Sequence, residues 1–229
     1  MMETRPSTFE QGLEKAGRRL KRLELSLNNT MSMAQAGMIE NAYESSFTLA
    51  YESEQLTLLT RALPAYTGRP QAAIVSENLM LGTVPVKIGY TGEGWFGAFI
   101  PALLPKKAKG SADYIRLFLY PAMRRFFTGK EPVRYPNCVL IFRHVYDQSR
   151  PERRYRDHDN LEINMVADII ALYVMADDAP SCCSHYYCSA AGSGDRTEVY
   201  VVHQSEFPQW LEAAKSFPPE GVNLLENYP

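Results

Sequence analysis

Asn137-Cys138-Val139-Leu140-Ile141-Phe142-Arg143-His144-Val145-Tyr146-Asp147 is the stretch on which the fold turns. It is rich in Val, Ile, Phe and Tyr, residues that fit a pleated and packed surface, and it predicts a long central strand. Downstream, an arginine-rich loop ends at Asp157 and a helix is expected over roughly Asn160 to Ala176. The chain then turns at Asp177-Asp178-Ala179-Pro180. Two further strands, about Cys182 to Cys188 and Thr197 to His203, are joined through Gly192-Ser193-Gly194. From Phe207 a short helix and a tail follow.

Upstream, Val86-Lys87-Ile88-Gly89-Tyr90 and Trp95 to Ile100 flank Thr91-Gly92-Glu93-Gly94 and read as a β-hairpin. Lys106, Lys107 and Lys109 then precede Ser111, an expected N-cap for a helix running toward Phe127 with a break or kink at Pro121. Residues 65–85 hold Gly68, Pro70, Gly82 and Pro85 and form the expected connector. Before it, Ser7 followed by Glu10 is a capping box, and Leu13, Ala16, Leu20, Leu23 and Leu27 recur at helical spacing. Ile39, Tyr43, Phe47, Tyr51 and Leu58 mark a second helix ending before Pro64. The expected organisation is therefore α+β: a helical hairpin over 1–64, a connector over 65–85, a mixed-sheet domain with packed helices over 86–206, and a C-terminal helix and tail over 207–229.

Composition bounds the function. The 229 residues are 45% hydrophobic, ample for a core. Four clustered cysteines, Cys138, Cys182, Cys183 and Cys188, do not make a secreted disulfide framework and fit a reducing cytoplasm. Met1 to Phe9 lacks the basic start and apolar run of an export signal. The longest apolar stretch, Ile169 to Ala176, is far shorter than the roughly 18 residues of a membrane span. No membrane association is expected.

Net charge is only −2, but it is unevenly spread. Leu103 to Arg156 carries thirteen Lys or Arg against four Asp or Glu, whereas Asp157 to Cys188 carries six acids and no Lys or Arg. Such a reversal suits a phosphate-binding surface beside a divalent-metal site, and equally two solvated faces. Cys182-Cys183-Ser184-His185-Tyr186-Tyr187-Cys188 invites a zinc reading. Alternation on a strand turns Cys182 and Cys188 away from Cys183 and His185, so the four do not converge, and buried thiols are expected instead, with no Cys and His pair placed for thiol catalysis. There is no Walker-type loop and no Gly-x-Gly-x-x-Gly fingerprint, so no nucleotide cofactor is expected.

Arg153-Arg154-Tyr155-Arg156-Asp157-His158-Asp159-Asn160 opens the helix that Asp177-Asp178 closes. In that order of elements Val86 to His203 resembles a RusA-type Holliday-junction resolvase. The resemblance implies that Asp157, Asp159 and Asp178 hold Mg²⁺, with Asp177 assisting, in a homodimeric endonuclease that cuts branched DNA. It also implies that Arg150, Arg153, Arg154 and Arg156, with Lys106, Lys107 and Lys109, meet the phosphate backbone. All-carboxylate ligands suit a hard cation, and phosphodiester hydrolysis needs one.

A helix of about seventeen residues separates its ends by about 25 Å, so either the following strand returns Asp178 or the helix is shorter. Asp159 with Glu162 also reads as a capping box, and two acids at a helix C-terminus require a compensating turn or cation. Where the family carries a lysine four residues after the second aspartate, this chain has Ile163, for which Lys130, Arg156 or His158 are candidate substitutes. A module that grips nucleic acid without cutting it, or a protein-interaction module working through the helical hairpin, are the alternatives. The whole chain also resembles an uncharacterised family from mobile elements of gut bacteria, through Leu56 to Arg69 and His185 to Gly192.

Overall fold

The computed structural model describes residues 7–72, 75, 83–108, 110–149 and 158–229, apart from the side chain of Asp159. The chain divides into two compact units, Met1–Asn78 and Leu79–Pro229.

The first unit is a hairpin of two long helices, α1 (Thr8–Gln35) and α2 (Ile39–Ala62). Ser7 caps α1 reciprocally: its hydroxyl accepts from Glu10 N, and the Glu10 carboxylate accepts from Ser7 N. These are the first orphan amides of the helix, which otherwise need water. The expected stripe is not one buried face. Leu13, Leu20 and Leu27 are exposed. The two helices are tied by polar contacts instead, with Arg19 and Arg22 on either oxygen of the buried Glu52 at 3.5 and 3.4 Å, and Thr30 bonded to Ser45 at 2.8 Å.

The second unit is built on a five-stranded mixed sheet in the order β1-β2-β5-β3-β4, from β1 (Lys87–Tyr90), β2 (Phe96–Ile100), β3 (Cys138–Asp147), β4 (Cys183–Gly192) and β5 (Arg196–His203). All neighbours are antiparallel except β3 and β4, which run parallel and are joined through helix α4 (Asn164–Val174). β3 is central and buried along nearly its whole length because layers cover both of its faces. Cys138, Leu140 and Phe142 face α4 and α3 (Ser111–Phe127), in a core with Phe96, Ile115, Phe118, Val166 and Ile170. Val139 and Ile141 face a second cluster in which Trp210, on the short helix α5 (Phe207–Ala213), packs against Tyr200 and Phe217. The C-terminal segment is thus a layer of this unit, and Leu225 pairs with Tyr90 in both directions at 2.7 and 2.8 Å.

Two local expectations change. α3 begins at Ser111 rather than being capped by it: Gly110, at φ +94°, turns the chain into the helix, and the Ser111 hydroxyl donates to the Lys106 carbonyl at 2.8 Å. The helix also continues through the buried Pro121, which removes one amide donor without ending it. Gly89 lies under the C-terminal segment, where any Cβ would fall on the Leu225 carbonyl. Gly89→Ala is expected to destabilise the protein by about 1–3 kcal/mol, read from the midpoint of thermal unfolding; an unchanged midpoint would mean that the tail does not hold β1.

Candidate functional site

Of the residues the sequence singles out, Asp157, Arg150, Arg153, Arg154, Arg156 and Lys109, and the carboxylate of Asp159, lie outside the described residues. The backbone around them is informative. His158–Asn160 forms a single 3₁₀ turn, and α4 begins only at Asn164, with no side-chain cap. The capping-box reading of Asp159 with Glu162 is therefore replaced. The Glu162 amide is satisfied by the Pro105 carbonyl at 2.9 Å and the Lys107 amide by the Asn160 carbonyl at 2.9 Å, while Lys106 bridges Leu161. The exposed Lys106 and Lys107 are thus fastened by their backbone to the segment that carries the Asp-His-Asp-Asn motif.

The helix of eleven residues spans about 16 Å rather than 25 Å. At its far end the exposed Asp177 and Asp178 enter a turn in which Asp177 Oδ1 accepts from the Ala179 amide at 3.2 Å. The cation that this helix end requires is Arg134, whose Nη1 donates to the Met175 and Leu172 carbonyls at 2.9 and 3.2 Å. Cys182 and Cys183 donate their amides to Ala179 O at 2.8 and 2.9 Å, seating the acidic turn on the start of β4.

Between the two motifs runs a row of rings on one face of β3 and β4. His144 of β3 stacks on His158 with centroids 5.2 Å apart, His158 on Tyr187 of β4 at 5.8 Å, and the Tyr187 hydroxyl meets His185 Nδ1 at 3.0 Å. His185 in turn is pushed above the ordinary histidine range, chiefly by its hydrogen bond with the Cys183 sulfur, with the Asp178 carboxylate adding to the effect. His158 Nδ1 is buried without a hydrogen-bond partner among the described residues. The i, i+2, i+4 spacing of Cys183, His185 and Tyr187 places them on one face of the strand, as alternation requires. The parallel register then sets Cys138 beside Cys183. Sulfur–sulfur and sulfur–imidazole hydrogen bonds hold the Cys183 thiol well below its ordinary range, and its partner Cys138 is driven upward. The expectation of buried thiols holds for Cys138 and Cys183, whereas Cys182 and Cys188 are half-buried; the juxtaposition of Cys138 with Cys183 depends on the partner strand and is not legible in the spacing.

Ile163 stands where the resolvase resemblance implies a lysine. It is only 8% exposed and packs with Leu161 and Val166 in the core. Of its candidate substitutes, Lys130 is engaged elsewhere, with Nζ bonded to Glu226 O at 3.0 Å and lying 4.1 Å above the Phe126 ring. Arg156 lies outside the described residues, and His158 sits in the ring row. Ile163→Lys is expected to lower stability by at least about 2 kcal/mol, because an ammonium would replace a core side chain. A urea midpoint equal to that of the natural chain would contradict this.

Among the described residues, no three His, Cys, Asp or Glu side chains are placed to hold a metal ion together, and no helix is long and apolar enough to cross a membrane. A family model described as a family of unknown function (DUF6100) matches residues 4–226. No curated protein and no solved structure matches the chain.

Proposed function

Since the chain belongs to this family of unknown function, we propose from its own residues that the Leu79–Pro229 unit is a RusA-like, Mg²⁺-dependent endonuclease acting on branched DNA as a homodimer in the cytoplasm. One observation carries the reading. His158, which stands between Asp157 and Asp159 in the sequence, stacks on Tyr187, whose hydroxyl bonds His185, the imidazole whose charged form Asp178 favours. The helix between the two motifs is eleven residues long, about 16 Å, which is shorter than the sequence alone suggests and favours their approach.

Asp157, Asp159 and Asp178 would hold the ion, with Asp177 assisting through the oxygen that its turn leaves over. This all-oxygen set suits Mg²⁺, which when bound supplies charge neutralisation at the phosphate and a more acidic water. Lys106 and Lys107, with Lys109, Arg150, Arg153, Arg154 and Arg156, would meet the phosphate backbone and position the strand. His185, kept protonated to higher pH than a free histidine, would contribute positive charge beside the scissile group in place of the lysine that Ile163 displaces.

The burial of Ile163 also favours a second reading, a module that binds branched DNA without cutting it. Incubation of the full chain with a labelled four-way junction or a linear duplex, in Mg²⁺ or EDTA, separates the two. Junction cleavage that requires Mg²⁺ supports the enzyme; salt-sensitive binding without cleavage supports the module. Neither binding nor cleavage would overturn both.

A further inference from the structure

We propose that Cys138 and Cys183 form a reversible dithiol–disulfide pair, an oxidisable site for a hydroperoxide at the start of the two parallel strands. The inference is independent of the nuclease reading. The two residues are register partners on β3 and β4. Adjacent strands lie about 4.7–4.9 Å apart, inside the Cα separation of about 4.4–6.8 Å that a disulfide accepts. All four cysteines are free, and these two are both buried.

The site also has a direction. β4 is the outer strand of the sheet, and its neighbouring Ser184 and His185 are exposed; both cysteines are buried, Cys183 at 6% exposure being less completely covered than Cys138 at 1%. The neighbouring Cys138 and His185 side chains both favour the Cys183 thiolate, which is the attacking species. The remaining cysteines are set apart. Cys188 faces the opposite side of the sheet, and burial pushes its thiol up to about 11; Cys182 lies one residue before the strand, with its sulfur beside the Ser181 hydroxyl at 3.6 Å.

The chemistry balances in two steps. The Cys183 thiolate attacks one peroxide oxygen, the O–O bond breaks, hydroxide leaves and takes up a proton as water, and Cys183 becomes a sulfenic acid. The Cys138 thiol then attacks that sulfur; an S–S bond forms, the S–O bond breaks, and a second water leaves with the thiol proton. Sulfur is oxidised and the peroxide reduced by the same two electrons. An external dithiol reverses the reaction by exchange. His185 is a positioning residue for the first step.

The test treats the full chain with a modest excess of hydrogen peroxide, blocks the remaining thiols with iodoacetamide and maps the cysteine peptides by mass spectrometry. One intrachain link, Cys138 to Cys183, is expected, with Cys182 and Cys188 alkylated and full reversal by dithiothreitol. In a Cys138→Ser variant the product should stop at a Cys183 sulfenic acid trapped by dimedone. In His185→Gln the pH midpoint of Cys183 alkylation should rise, and the rate at neutral pH should fall about tenfold, as expected when a thiolate loses a neighbouring imidazolium. Links between any other pair, links between chains, or four reduced thiols after peroxide would overturn the proposal. The mapping on the natural chain decides this even if a variant fails to fold.

Discussion

Glu198→Ala is expected to cost about 3–5 kcal/mol, because it strips the counter-charge from two guanidiniums that are largely withdrawn from water. Glu198 is fully buried on β5, directly opposite Arg143 on β3. One carboxylate oxygen accepts from Arg143 Nη1 at 2.7 Å and from the Tyr200 hydroxyl at 2.9 Å, and the other accepts from Arg196 Nε at 2.7 Å. Phe217 covers the group from the C-terminal layer, its ring 5.4 Å from the Arg143 guanidinium. Burial of such a cluster is a poor source of net stability, since desolvation offsets the attraction, but removing one partner leaves the others charged and unmatched. A loss of that size is a large part of the roughly 5–15 kcal/mol that holds a domain together. Urea unfolding followed by tryptophan fluorescence reads it directly, as Trp95 and Trp210 are both buried in this unit. Arg196→Ala should cost less, because that side chain is the more exposed of the two arginines. A Glu198→Ala midpoint within error of the natural chain would mean that the cluster relaxes or hydrates.

The second large effect is on activity. If the acidic motifs hold Mg²⁺, the double variant Asp157→Asn, Asp159→Asn should lower the rate of junction cleavage at least about 10³-fold, since several kcal/mol of charge stabilisation at the phosphate depend on the ion. Asp178→Asn should approach the same loss. Asp177→Asn should fall well short of it, because one oxygen of that carboxylate already serves the Ala179 amide. The ion should also protect the natural chain against unfolding by about 2.7 kcal/mol at a hundredfold excess over its dissociation constant, and should not protect the double variant. Cleavage that survives in the double variant would sink the metal assignment, whereas lost cleavage with retained Mg²⁺ protection would move the ion to other ligands.

What could be read ahead of the structure was local. The Ser7–Glu10 cap, the two hairpin helices and the long β3 strand are written in short-range spacing and composition, and each stands within a residue or two of its expected place. What depends on distant partners was not legible. Nothing near Asp159 announces that the Pro105 to Lys107 segment will satisfy the backbone that a helix cap would otherwise serve. The row from His144 through His158 and Tyr187 to His185 is legible only once β3 and β4 are known to be parallel and in register. Arg134, the cation at the end of α4, stands thirty-eight residues before the Leu172 carbonyl it serves. Arg143 and Glu198 likewise look like unremarkable strand polars until they face each other across a covered sheet.

The position of β5 between β2 and β3 sets the order in which this unit can be made. Phe96 pairs with Val201 and Leu140 pairs with the same residue from the other side, so the β1–β2 hairpin and the β3–β4 pair are two unjoined halves until β5 arrives. On a ribosome, that strand emerges after the other four, and the Trp210 layer that seals the second face follows it. Until then both halves present apolar edges to their surroundings, and nascent chains of this unit should depend on holding factors until β5 and the Trp210 layer have emerged, then acquire protease resistance in a single step.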